Sequence, residues 1–247
     1  MLKNRLIVVR LDTRMLYAGV VVICLAMGVW LYNTPAVWTM PPLSALISGK
    51  RVVVDPGHGG YDPGAQTDSG LLEKEINLDV ALRLKKHLSR VGIYTELIRE
   101  DDRDYAEVTD CITRKERDLT YRLKLIHQSK AHLLLSIHAN MFTDPVYKGS
   151  QTFFKPGDAA SKQLATLIQD HLVKALGPNR RKPKPGDFRI LQDVKIPAVI
   201  VETGFLSNQE EAQLLATPDY REKIAAAICQ GVIGYFCGLS VSGAECP

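Results

Sequence analysis

RVVVDPGHGG, residues 51–60, is the stretch whose reading decides the fold. Three consecutive valines after Arg51 make a short β-branched run, the composition of a strand buried on both faces, as in a sheet covered by helices. The run breaks at Asp55-Pro56 into a glycine-rich loop that holds a histidine, His58, between glycines. Downstream, Leu72, Ile76, Val80, Leu84 and Leu88 recur every four residues, which predicts an amphipathic helix closed by Gly92. Ile93 to Ile98 predicts a second strand, and a charged loop with Asp101, Asp102 and Asp104 leads to a helix around Leu119, Leu123 and Ile126.

The same alternation continues to the C-terminus. His132 to His138 (HLLLSIH) predicts a buried strand and Gln151 to Phe154 a shorter one. Leu164, Leu167, Ile168, Leu172 and Leu176 mark a helix ended by Gly177-Pro178. A basic, proline-rich loop (Arg180 to Pro185) precedes a strand at Ala198 to Glu202 (AVIVE), and Ile224, Ile228, Val232 and Tyr235 form the inner stripe of a last helix. Buried strands alternating with helices predict one layered α/β domain with a mostly parallel or mixed central sheet, and small antiparallel edge pieces around Gln151.

Ahead of that domain, Met15 to Tyr32 carries no charge. Eighteen residues at about 1.5 Å rise just span a hydrocarbon core of roughly 30 Å. Tyr17, Trp30 and Tyr32 lie near its ends, where amphipathic rings favour the interface. Lys3, Arg5, Arg10 and Arg14 precede it, which predicts the N-terminus in the cytoplasm and the domain outside. An anchor fits better than a cleaved signal peptide, because Thr34-Pro35-Ala36 is a poor small-x-small cleavage site. The expected organisation is a basic N-terminus (1–14), a transmembrane helix (15–32), a linker with three prolines (33–49), a catalytic domain (50–238) and a short tail (239–247).

The formal charge of +4 comes mostly from that N-terminal flank, which leaves the domain nearly neutral. No basic patch of the kind that grips a nucleic acid is indicated, so no nucleic-acid partner is expected. Cysteines 24, 111, 229, 237 and 246 form no C-x-x-C pair, so no thiolate metal site is expected. Cys229 and Cys237, eight apart in a helix, would lie about 12 Å apart along its axis, too far to bridge.

The candidate chemistry sits at strand ends, where open α/β sheets bind ligands. One strand ends at Asp55 and runs into His58, one at His138 followed by Ala139-Asn140, and one at Glu202; Glu73, at the start of the first helix, faces the same edge. Taken singly, a strand-end histidine is usually structural and an isolated glutamate almost always is. Convergence of four changes this, since two imidazoles and one carboxylate suffice for a zinc site open to water, and a remaining carboxylate can act as base. A phosphate-binding loop is disfavoured, because residues 55–60 match neither G-x-G-x-x-G nor G-x-x-x-x-G-K-[ST]. Ser136 lies within a strand with no G-x-S-x-G elbow, which disfavours a serine hydrolase. His87, His127, His132 and His171, in helices or flanking a turn, read as non-ligands.

Four motifs then stand in order: VDPGHGGYDPGA (54–65), EKEIN (73–77), SIHAN (136–140) and PAVIVETGFLSN (197–208). With their spacing, from about Lys50 to Phe236, the chain resembles the zinc-dependent N-acetylmuramoyl-L-alanine amidases of the type-3 class. The resemblance implies that His58, Glu73 and His138 bind one Zn2+ per chain, and that Glu202 is the catalytic carboxylate. It also implies peptidoglycan as substrate, and the short form without wall-binding repeats resembles the sporulation and germination amidases that act on spore cortex. Asp55 and Asn140 read as supporting or substrate groups, or equally as loop hydrogen-bonders. Thr203 and Arg189 depart from the family pattern and bear on substrate fit. A zinc carboxypeptidase on stem peptides and a non-catalytic wall-binding pseudo-amidase are the competing readings. An activating protein partner is compatible with this arrangement, and no motif identifies one.

Overall fold

The computed structural model describes residues 13–33, 42–105 and 113–239. Most of the expected basic N-terminus, half of the expected linker, Cys111, Cys246 and the tail beyond Leu239 lie outside the described residues. The chain divides into two units, the first ending at Pro41. Of the first unit, helix α1 (Thr13–Asn33) is described; its uncharged run is long and apolar enough to cross a membrane.

The second unit holds the rest of the elements. Helix α2 (Leu43–Ile47) is followed by β1 (Arg51–Pro56), α3 (Glu73–Arg90), β2 (Tyr94–Leu97), α4 (Arg114–Gln128) and β3 (Leu133–Asn140). Then come β4 (Gln151–Phe154), α5 (Ala159–Leu176), β5 (Lys184–Pro185), α6 (Arg189–Gln192), β6 (Ala198–Phe205), α7 (Gln209–Leu215) and α8 (Pro218–Phe236). The six strands form one sheet in the order β2-β1-β3-β6-β4-β5. Strands β2, β1, β3 and β6 are parallel, while β4 runs antiparallel to β6, so the sheet is mixed, with the reversal at Gln151 where an antiparallel edge was expected.

Both faces of the sheet are covered, which is why its central strands are apolar throughout. On one face Val52, Val54, Leu133, Leu135, Val199 and Val201 pack into a core completed by α3, α5 and α8. On the other, Val53, Leu134 and Ile200 pack beneath Leu123 and Ile126 of α4 and Ile190 and Leu191 of α6. Burying each such side chain contributes about 1.5–3 kcal/mol relative to exposure.

Two features depart from the sequence reading. Helix α2 falls within the expected linker, yet Ile47 is 2% exposed and belongs to the core, so the packed unit starts at Pro42. An uncharged, proline-bearing stretch looks like a linker until its apolar residues find a groove, and Ile47 and Leu46 of α2 find one, with α2 against α8. Strand β6 also runs three residues past Glu202. Cys229 and Cys237 are both free, as their helical spacing predicts.

Candidate metal and reaction centre

The four strand-end and helix-start groups meet at the carboxyl edge of the parallel strands. His138 on β3 pairs directly with Glu202 on β6, and a register irregularity follows between His138 and Asn140. A bulge of this kind re-aims side chains at a sheet edge. Thr203, one of the two departures from the family pattern, donates its hydroxyl to the His138 carbonyl at 3.0 Å, within that irregularity.

Glu73 enters from the first turn of α3, only 5% exposed. Its Oε1 lies 3.2 Å from His58 Nε2 and 3.0 Å from His138 Nδ1. It also accepts the Ala139 N–H at 3.1 Å, while Oε2 accepts the Ala65 N–H at 2.8 Å. Burial alone would raise the Glu73 pKa, but hydrogen bonds from His138 and His58 outweigh it and hold the carboxyl well below its usual range. One ligand atom from each of His58, Glu73 and His138 lies within 4.8 Å of the others. Four-coordinate zinc at 2.0–2.2 Å puts ligand atoms about 3.3 Å apart, close to the two separations above. Two imidazoles and an ionised carboxylate are also the right donor chemistry, so these residues fit a metal ion. Among the described residues they form the one such cluster.

The loop that carries His58 is held from every side. His58 adopts φ 61°, a left-handed backbone rare outside glycine. Its Nδ1 donates to Asp62 Oδ2 at 2.8 Å, the kind of carboxylate contact that fixes a ligating imidazole's tautomer and orientation. Gly57 has no room for a side chain, since a Cβ would stand 2.2 Å from the His138 ring; at Gly64 (φ 68°) a Cβ would meet Glu73 Oε2 at 2.5 Å.

Beneath the loop lie two buried arginines. Arg122 donates to Asp55 at 2.7 Å, Asp118 at 2.6 Å, the Pro56 carbonyl at 2.9 Å and the His58 carbonyl at 2.6 Å. Arg99 donates to the carbonyls of Pro56 (3.0 Å), Gly57 (3.0 Å) and Lys74 (2.8 Å). Asp55 is therefore the partner of Arg122 and of the Ser136 hydroxyl (2.9 Å), 2% exposed, and supports the loop. Asn140 offers its carbonyl to the Leu206 N–H at 2.7 Å.

Glu202 differs from Glu73. Its Oε2 is buried without a hydrogen-bond partner, and burial, with the negative charge of Glu73 adding to it, pushes its pKa up to about 7 against the opposing pull of His138. A carboxylate with one free oxygen and a pKa near neutrality is suited to take up and return a proton. Next to His58 and His138 a cavity of about 220 Å³ opens between the start of α4 and α6, lined also by Lys115, Phe188 and Arg189. Arg189, the second departure from the family pattern, is tied at this mouth to Asp193 (3.2 Å) and Glu116 (3.6 Å).

The other four histidines sit elsewhere. His87 meets Glu222 at 2.8 Å, His127 the Asp193 carbonyl at 3.0 Å, and His132 accepts the Arg51 N–H at 3.0 Å. Sequence reasoning passes over Asp62, Arg99 and Arg122. Asp62 is legible, because an acid four residues after a loop histidine can turn back on it. The arginines are not, since the loop residues they hold, 55 to 58, lie 42 to 67 residues away.

Residues 52–234 match the family described as N-acetylmuramoyl-L-alanine amidase. The germination-specific N-acetylmuramoyl-L-alanine amidase of Bacillus subtilis is 40% identical over 202 residues, 81% of this chain and 83% of the relative. The amidase LytC of the same organism is 36% identical over 208 residues, 83% of this chain but 39% of LytC. Among solved structures, the CwlD amidase of Clostridioides difficile, in complex with the GerS lipoprotein, superposes with a TM-score of 0.73 at 39% identity, covering 75% of this chain and 98% of that one.

Proposed function

The chain belongs to the N-acetylmuramoyl-L-alanine amidase family, and from that premise we propose that His58, Glu73 and His138 hold one Zn2+ and that Glu202 is the proton-transferring group. The observation that carries the assignment is the shared Glu73 carboxylate, bridging two imidazoles at 3.2 and 3.0 Å with Glu202 paired to His138 across the strands. When bound, zinc supplies a Lewis acid that polarises the amide carbonyl and acidifies water. The rest falls to this chain's own groups. Glu202 takes a proton from the attacking water on its free Oε2 and returns it to the nitrogen of L-alanine as the bond to the lactyl group of muramic acid breaks. Asp62 holds the His58 ring in place, and Arg122 and Arg99 hold the loop that carries it.

The spore-cortex role rests on likeness to the germination-specific relative. A lipoprotein partner is worth seeking because the Clostridioides difficile relative was solved with one. For localisation, Met15 to Tyr32 would anchor the chain with its N-terminal flank inside and the catalytic unit outside, next to the wall. Glu202→Gln tests the central assignment: shape is kept and the proton acceptor lost, so zinc content should stay while turnover on purified peptidoglycan falls roughly 10²-fold or more. Near-wild-type turnover would exclude Glu202 from the role.

A further inference from the structure

The basic loop Arg180 to Pro185 is legible in the sequence but has no part in the metal centre or in proton transfer. Its residues read RRKPKP, a run of cations interrupted by prolines. Strand β5 pairs Lys184 with Phe153, and Phe153 pairs with Ile200. Gln151, two residues earlier on β4, pairs with Glu202. Directly opposed residues project from the same face, so Lys184 shares the face that carries Ile200, Glu202 and His138. Lys182, two residues before Lys184, lies in the loop that leads into β5. Its carbonyl accepts from Gln151 Nε2 at 3.1 Å, which locks the loop beside the residue opposite Glu202. Arg181 is already engaged: its guanidinium lies 4.2 Å from the Phe205 ring and donates to the Lys148 carbonyl at 2.8 Å and to Gln151 Oε1 at 3.0 Å. Lys182 and Lys184 are exposed, and neither side chain has an acidic partner among the described residues.

We infer that Lys182 and Lys184, presented by the β4–β5 edge beside Gln151, form a carboxylate-binding subsite for the peptide side of the substrate. The inference rests on the amidase reading, which supplies a stem peptide bearing free carboxylates. Two strand spacings of about 4.8 Å separate β5 from β6. Lys184 stands level with Ile200, two residues along β6 from Glu202, so the span is about 12 Å and, at about 3.4 Å per residue, the third or fourth residue of an extended peptide beyond the scissile nitrogen reaches it. Protection of a sheet edge by lysine and proline is the purely structural alternative. It explains cations on an edge, but it gives no reason for discrimination between a carboxylate and its amide.

The test uses the full chain in detergent with two soluble N-acetylmuramoyl-peptides, one with free stem carboxylates and one with all of them amidated. For Lys182→Gln/Lys184→Gln, KM on the free-carboxylate substrate should rise about tenfold with kcat held, the difference should shrink in high salt, and KM on the amidated substrate should stay as in the wild type. Lys182→Arg/Lys184→Arg should restore most of the loss. An unchanged KM on the free-carboxylate substrate, or an equal rise on both, overturns the subsite. If the wild type releases no L-alanine-headed peptide from either substrate, the amidase reading fails. Direct binding of the free and amidated stem peptides then still decides the inference, with equal retention by wild type and variant counting against it.

Discussion

At His58 a bulky residue holds a backbone conformation that L side chains resist, at a cost on the order of 1–3 kcal/mol, and the surrounding contacts are what sustain it. Asp62 fixes the ring and Arg122 fixes the backbone carbonyl. If the ring is a metal ligand, His58→Ala or His138→Ala should drop zinc from one per chain to none by elemental analysis of the folded variant. Full zinc in both would remove them from the site. Arg122 makes a different prediction. It is 3% exposed and compensates an Asp55 carboxyl buried to the same degree. Arg122→Met leaves that charge alone in the interior, a change worth about 3–5 kcal/mol, so thermal unfolding should move down by roughly 6–20 °C at 2–4 °C per kcal/mol. A shift under about 2 °C, less than 1 kcal/mol on that scale, would show that Asp55 is accommodated without its partner.

Among the elements, α1 carries the prediction about location. Its uncharged run, with the basic flank before it, predicts that a reporter fused after Pro247 is active only outside the cytoplasmic membrane. Activity confined to the cytoplasm would contradict it. The elements also show where sequence reading holds. The valine run of β1, the four-residue repeat of α3 and the apolar stretch of β3 each announce themselves locally, because both sheet faces are buried and each helix has one inner stripe. Since ligands gather beyond the carboxyl ends of such strands, the amino-acid pattern alone puts His58, His138 and Glu202 on one edge. What local pattern misses is made by distant partners: α2 is a helix because Ile47 reaches the core, and the two-residue β5 exists only through pairing with β4. Asp55 reads ambiguously for the same reason, since its partner Arg122 lies 67 residues on.

For the whole molecule, residues 52–234 match the amidase family over nearly all of the second unit, and the apolar helix α1 ahead of it is long enough to cross a membrane. A nearly neutral domain of the amidase family describes one enzyme if its substrate is the amide polymer of the cell wall. The most direct measurement is mass spectrometry of purified peptidoglycan digested by the full chain with zinc. The account predicts free stem peptides beginning at L-alanine and glycan strands that keep their lactyl groups. Release of free D-alanine, with stems still attached to muramic acid, would contradict it and make the protein a carboxypeptidase.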